Sequence, residues 1–448
     1  MDISENALFI APFIYFFLFL ESPVNLVISF FYELASYSNV NFCQWYLPIK
    51  QNINFQYKCM HGLFFRYKNK EMKFAVQGCT HGDLDLIYSL IDHVEKKESI
   101  KIDFLICCGD FQATRNHDDL MSMAVPKKYR QMKDFHDYYA GRKKAPLLTI
   151  FIGGNHEAAN HLWELPYGGW VAENIYYLGY AGVINVGGIR IAGMSGIFNT
   201  NDFHKGYFEK PPFNESTKRS FYHIKQITTA KLKNLEGSPI DIFLSHDWPS
   251  NIQKYGDIEQ IYEQKPWLRE EPIQKYLIDN DPAEELLRLL KPTYWFAAHH
   301  HVKFAALVQH DSKESTKFLA LGKCLPSNDF MQILNFDSPS SEVVLKYDLQ
   351  WLSVLKATDH YMKKSGKIDT FENFEKEQNF YMMTEASNFC SKFRENLAVI
   401  KLDSKSNLKS RQQTVKFCEK FGLCDPCVDY ESCDYSNEIS DDSIEFTN

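Results

Sequence analysis

Residues 146–157 read PLLTIFIGGNHE. A β-prone, mostly apolar run meets a glycine pair, and an amide, an imidazole and a carboxylate follow at once. The run is too short for a buried helix and suits a buried strand. Glycine at its end lets the backbone turn sharply, so the next side chains project from the strand end. The same phrase recurs. Lys73–Gln77 leads into Gly78-Cys79-Thr80-His81, and Phe104–Cys108 into Gly109-Asp110. Ile240–Ser245 leads into His246-Asp247, and Tyr294–Ala298 into His299-His300-His301. Shorter β patterns fall at Ile175–Leu178, Gly182–Val186 and Ile189–Gly193, and a closing group at Val302–Val308, Lys317–Leu321 and Met331–Phe336. Helical spacing appears from Leu84 to Ile91, over Thr217–Leu235 as one long helix, and near Pro282–Leu290. This order predicts an α/β fold, a β-sandwich flanked by helices, with polar clusters at the carboxyl ends of its strands.

One polar residue after a strand means little. Five clusters, each offering an oxygen, nitrogen or sulfur donor, are hard to explain as core filling, because buried polar groups need partners. A metal would partner them all. Imidazole, carboxylate, amide oxygen and one thiolate together suit zinc, iron or manganese better than calcium or magnesium. A single carboxylate with donors on both sides can bridge two ions about 3.5–4 Å apart, an arrangement that holds and polarises a phosphate and activates a water. The donors therefore point to a hydrolase of phosphate esters.

The order of the clusters resembles that of the calcineurin-like metallophosphoesterases. Motifs there run Gly-Asp-x-His, Gly-Asp, Gly-Asn-His-Asp or -Glu, a single His, and His-x-His. The resemblance implies a metallophosphoesterase domain with one or two divalent ions (Fe, Zn or Mn). Asp110 would bridge them, Asn155 and His246 would serve one ion and His81 the other, and His299 and His301 would go one to each. His300 would point away, exposed or hydrogen-bonded. Cys79 stands where the class has Asp, which weakens the case for a hard ion there. That departure resembles the lariat-debranching branch of the class, whose first motif is Gly-Cys-x-His. Longer stretches resemble it too, among them CGDFQA at 108–113, IFIGGNHEA at 150–158, FLSHDWP at 243–249 and KPTYWFAAHHHVKFAAL at 291–307. The likeness runs from Met72 to about residue 360.

It implies hydrolysis of the 2′–5′ phosphodiester at the branch point of excised intron lariat RNA. His156 would be the general acid, with Glu157 orienting it, and the substrate would be branched RNA rather than DNA. It also implies a nuclear location with shuttling to the cytoplasm. Two other readings stay open: a phosphoprotein phosphatase or other nucleotide phosphodiesterase on the same scaffold, and a non-catalytic relic. The branch carries an RNA-recognition insertion, which by position corresponds to about residues 195–225. Phe198, Tyr207, Phe208 and Tyr222 there offer flat faces to unpaired bases, and His204 and Lys205 offer positive charge.

The 448 residues carry a formal net charge of −8. Residues 425–448 hold eight acidic and no basic residues, and the rest is balanced at 49 of each sign, so total charge neither supports nor excludes a nucleic-acid partner. Four regions follow. Residues 1–71, with the apolar run ALFIAPFIYFFLFL at 7–20, read as an extension outside the fold. A non-native extension, a membrane anchor and a partner-binding helix all stay open for it; the core domain needs no membrane. Residues 72–338 form the catalytic domain and 339–420 a C-terminal region. Residues 421–448 read as an acidic disordered tail. The eleven cysteines lack a regular disulfide spacing and suit a reducing compartment. Cys418, Cys424, Cys427 and Cys433 invite, weakly, a structural zinc.

Overall fold

Strand β1 (Lys70–Gln77) carries Phe74 and Val76 on one face and Ala75 on the other, all fully buried. Burial on both faces is the signature of an internal, covered strand. The computed structural model describes residues 70–270, 280–359 and 409–428, apart from 312, 313, 327, 339 and 341. The expectations placed on residues 1–69 and beyond 428 lie outside the described residues.

Twelve further strands follow in chain order. They are β2 (Phe104–Cys107), β3 (Leu148–Phe151), β4 (Gly169–Ala172), β5 (Ile175–Tyr177), β6 (Ala181–Val186), β7 (Ile189–Met194) and β8 (Ile242–Leu244). Then come β9 (Tyr294–Ala297), β10 (Phe304–Gln309), β11 (Ser315–Ala320), β12 (Met331–Ser338) and β13 (Leu345–Tyr347). They build a six-stranded sheet in the order β12-β1-β2-β3-β5-β4 and a seven-stranded sheet in the order β10-β11-β9-β8-β7-β6-β13. β1, β2, β3 and β5 run parallel, and so do β7, β8, β9 and β11.

The sheets face each other across a shared core. Phe74, Val76, Phe104, Ile106 and Ile150 from one meet Ile184, Ile191, Ile242, Leu244 and Phe296 from the other. Helix α1 (Leu84–Glu98) covers the outer face of the first sheet with Leu84, Ile87, Tyr88 and Ile91, spaced as one helical stripe. Each such burial contributes roughly 1.5–3 kcal/mol. Helices α2 (Gln226–Lys233), α3 (Asp281–Leu290) and α4 (Leu349–Ala357) cover the second sheet. The expected α/β sandwich flanked by helices is the architecture observed.

Three boundaries differ from expectation. β1 begins at Lys70, two residues before Met72, because Lys70 and Glu71 pair with Ser338 and Asp337 of β12. The single helix over Thr217–Leu235 is two, Thr217–Ser220 and α2. Residues between them leave the helix to pair with the start of the insertion: Ile197 N donates to Tyr222 O (3.0 Å) and Ile224 N to Ile197 O (2.9 Å). Two backbone bonds across chain thus outcompete the local periodicity. Finally, helix α5 (Ser410–Phe421) continues into a packed segment in which Leu423 and Cys424 are buried, residues assigned from sequence to the acidic tail. α5 lies along β4, an edge strand, where the Gln413 side chain accepts from Trp170 N (2.9 Å) and donates to Trp170 O (2.7 Å). An unpaired edge is satisfied by a side-chain amide in this way.

Candidate metal centre

Because the central strands of both sheets run parallel, their carboxyl ends share one edge of the sandwich. There β1 delivers Cys79 and His81, β2 delivers Asp110, β3 delivers Asn155 and His156, β8 delivers His246, and β9 delivers His299 and His301. Two glycines make the approach possible. Gly109 has φ +103°, and a Cβ there would meet His246 Nδ1 at 2.3 Å. A Cβ on Gly154 would meet Asp110 Oδ1 at 2.3 Å and His246 Nε2 at 2.6 Å. His81, Asp110, His299 and His301 also take positive φ, between 47° and 62°, a conformation uncommon for non-glycine residues.

The donors form two groups around Asp110. Single ligand atoms of Cys79, His81, Asp110 and His301 lie within 4.8 Å of one another. His81 Nε2 stands 3.4 Å from Asp110 Oδ2 and 3.3 Å from His301 Nε2. On the other side His246 Nε2 lies 3.2 Å from Asp110 Oδ1 and 3.2 Å from Asn155 Oδ1, with the His299 ring 5.0 Å away. Asp110 therefore turns one oxygen to each group. Cys108 O accepts from His246 Nδ1 (2.7 Å), which fixes the tautomer and leaves the Nε2 lone pair facing Asp110. All seven residues named from sequence as ligands come together here.

These donors fit divalent metal. Burial holds His81 at about 3 and His301 at about 4, and pushes His299 well below the imidazole range, so their lone pairs are free. Burial would raise the Asp110 carboxyl, but His246, His156 and His81 around it hold it well below the usual range, and it stays charged. Burial, reinforced by Asp110, pushes the Cys79 thiol well up, so a thiolate there calls for a cation beside it. His300 is buried, with its ring edge-on to Trp248 at 5.2 Å, rather than exposed.

His156 stands at the mouth of the site, about one-third exposed, with Nδ1 3.4 Å from Asp110 Oδ2 and its ring 5.3 Å from that of His81. Its backbone N–H donates to Asp110 Oδ1 (2.8 Å). Glu157 does not take the place expected of it beside that ring. Its carboxylate accepts from the backbone N–H groups of Phe111 (2.7 Å), Gln112 (2.9 Å) and Gly154 (3.0 Å). It thus ties the turn after β2 to the turn after β3, and is a positioning residue. Burial pushes it up to about 7, against those three donors.

The insertion folds beside this edge. A cavity runs from Gly154 and Glu157 to Tyr207, Tyr222 and His223. Phe198 N donates to Asp247 Oδ2 (2.7 Å), which moors the insertion next to His246. The residues expected to meet RNA divide. Phe208 is exposed and Tyr222 lines the cavity, but Tyr207 packs on Tyr180 at 4.6 Å and bonds Thr228, and Phe198 packs on Phe203 at 5.4 Å. Lys205 pairs with Asp202 (2.5 Å), and His204 with Gln226 (3.0 Å). Cys418, Cys424 and Cys427 do not converge as a metal group; among the described residues, Cys79, His81, Asp110 and His301 are the one set of three or more His, Cys, Asp or Glu donors this close, the group on the other side of Asp110 being completed by the Asn155 amide. Cys433 lies outside them.

One residue escaped the sequence reading. Lys323 is half-buried beside the Cys79 group, and its charge acts on Cys79, His81 and His301. Its signal was the phrase found three times already, at Gly78, Gly109 and Gly154: a β pattern, then a glycine, here Gly322, then a polar side chain.

Residues 72–303 match the family described as calcineurin-like phosphoesterase, and residues 313–426 match the lariat debranching enzyme, C-terminal domain. A Danio rerio protein named lariat debranching enzyme is 57% identical over 65% of this chain and 52% of its own length. A Homo sapiens protein of that name is 55% identical over 66% and 56%. One from Drosophila pseudoobscura pseudoobscura is 44% identical over 82% of this chain and 73% of its own. The chain thus spans about half the length of the vertebrate relatives and nearly three quarters of the fly one. With both halves of the sandwich, its metal-ligating edge and its C-terminal helix inside these matches, the chain belongs to the lariat debranching enzyme family of the calcineurin-like phosphoesterases.

Proposed function

We propose that the protein hydrolyses the 2′–5′ phosphodiester at the branch point of excised intron lariat RNA. The observation that carries this is the pairing of a donor cluster containing Cys79, continued across Asp110 by His246 and Asn155, with an aromatic insertion opening onto the same edge. Cys79, His81, Asp110 and His301 would hold one divalent ion, and Asp110, Asn155, His246 and His299 a second. When bound, such ions supply Lewis acidity to the phosphate and lower the pKa of water. The single soft ligand favours iron, zinc or manganese at the Cys79 group.

The chain's own side chains do the rest. Asp110 stays charged between the two groups and sets their separation. His156, partly open to solvent at the mouth, holds the proton that the departing 2′ oxygen of the branch nucleotide takes up. Tyr222 and Phe208 offer the branch bases a stacking surface, and the 5′ phosphate remains on the other product. The nucleus, where introns are excised, is the expected place of action, with shuttling to the cytoplasm.

The test is substrate competition. Metal-reconstituted protein, its metal content measured, is given a 2′–5′ branched oligonucleotide, the linear 3′–5′ strand and a phosphopeptide together. Debranching as the dominant reaction is expected; preferential dephosphorylation of the peptide would replace this reading with a phosphatase.

A further inference from the structure

We infer that Lys323 is a phosphate-binding residue of the reaction site, holding a non-bridging oxygen of the substrate phosphodiester. The inference rests on the phosphodiesterase reading above, but its argument is geometric. β11 runs parallel to β9, so the residues after β11 emerge at the edge where His299 and His301 stand. There Lys323 is locked against Cys79 as a parallel bridge. Cys79 N donates to Gly322 O (3.2 Å), and Cys324 N donates to Cys79 O (3.1 Å). Gly78 permits this contact, since a Cβ on it would meet Gly322 O at 2.1 Å. Directly paired residues send their side chains to one face of the sheet, so Lys323 shares a face with the thiol.

Among the described residues Lys323 forms no ion pair, whereas Lys133 and Lys303 pair with Asp83 (2.8 Å) and Asp329 (3.7 Å). An ammonium held beside a cluster that collects cations is repelled by them unless an anion lies between. The anion this centre is built for is a phosphate oxygen. Lysine is suited to it, as a compact, strongly charged donor on a flexible stem.

The test uses the full chain, as Lys323→Met and Lys323→Arg beside wild type. Metal content is measured first, then the affinity of the metal-loaded proteins for inorganic phosphate by calorimetry, then kcat/KM on a branched oligonucleotide. Lys323→Met should keep its metal, bind phosphate about tenfold more weakly or worse, and lose roughly 10- to 100-fold in kcat/KM. Lys323→Arg should recover most of both. Wild-type phosphate affinity in Lys323→Met overturns the inference, as does loss of metal, which would make Lys323 a prop for Cys79. Wild-type protein that binds phosphate without cleaving branched RNA overturns the debranching reading alone, and the phosphate affinities still decide the role of Lys323.

Discussion

His156 and His246 both lie within 3.4 Å of Asp110, yet they are built for different work. His246 is fully buried, and its Nδ1 is committed to Cys108 O, which leaves it one free nitrogen, aimed at Asp110 and Asn155. His156 is partly open, and its backbone rather than its ring is tied down. His246→Ala should therefore lose metal. His156→Ala should keep metal and bind branched RNA, but turn over about 10²–10⁴-fold more slowly. Its defect should shrink on a substrate with a better leaving group, which needs no proton. Equal metal loss in the two variants would make His156 a ligand. Glu157 asks for a different readout. In Glu157→Gln an amide N–H₂ replaces one of the oxygens that receive Phe111, Gln112 and Gly154. One buried donor then faces another, at a cost of about 1–3 kcal/mol. A lower melting temperature with weaker metal retention is expected; unchanged stability with a displaced pH optimum would return Glu157 to the proton-transfer machinery. The ligands were legible from sequence because each follows a strand and a tight turn. The role of Glu157 was not, because its partners are backbone groups 3, 45 and 46 residues away, which side-chain chemistry does not announce.

At the scale of elements, α5 is the part least foreseen. Its C-terminal half packs on the core through Phe417, Cys418 and Phe421, but its N-terminal half docks by polar, long-range contacts: Gln413 on β4, Thr414 Oγ1 donating to Glu164 O (2.6 Å), and Ser410 Oγ 3.0 Å from His161 Nε2. Its buried stripe is Ser410, Thr414, Cys418 and Phe421, half of it polar and so faint as an apolar period, whereas α1, with Leu84, Ile87, Tyr88 and Ile91, was plain from spacing alone. His161 makes this docking sensitive to pH. Burial, helped by Arg115, lowers it from about 6.5 to about 4, so the folded chain keeps it neutral while the unfolded chain takes up a proton. Its contribution is complete above pH 6.5 and is lost as pH falls from there toward 4. Between pH 7 and pH 5 the loss should be about 2 kcal/mol. Denaturant unfolding of wild type and His161→Gln at the two pH values measures it: the excess acid destabilisation of wild type is expected, and parallel losses would contradict the assignment. The split of the expected helix over Thr217–Leu235 belongs to this scale too. Helical spacing was present there, but the Ile197 pairing with 222–224 was not visible to a local pattern.

Across the whole molecule, the two sheets supply one edge, and every chemical group proposed here sits on it. That arrangement was readable because parallel strands with donors at their ends can only gather them on one side. The pairing of β1 with β12 begins at Lys70, so a chain beginning at Asn69 should fold, retain metal and match full-length activity, whereas one beginning at Met72 loses the Lys70 and Glu71 pairs with β12 and should be less stable. Thermal unfolding and metal analysis of both check this, and aggregation of the Asn69 form would place the first 68 residues within the fold. The central claim is that this edge opens a 2′–5′ bond and no other. Its most direct measurement is product analysis of a branched oligonucleotide labelled on both arms, after reaction with metal-reconstituted protein and with Asp110→Asn. The account expects wild type to release a strand bearing a 5′ phosphate, leave a free 2′ hydroxyl on the branch nucleotide and spare every 3′–5′ bond, and Asp110→Asn to leave the branch intact. Cleavage of 3′–5′ bonds at comparable rate, or an intact branch with fully loaded wild-type protein, would contradict it.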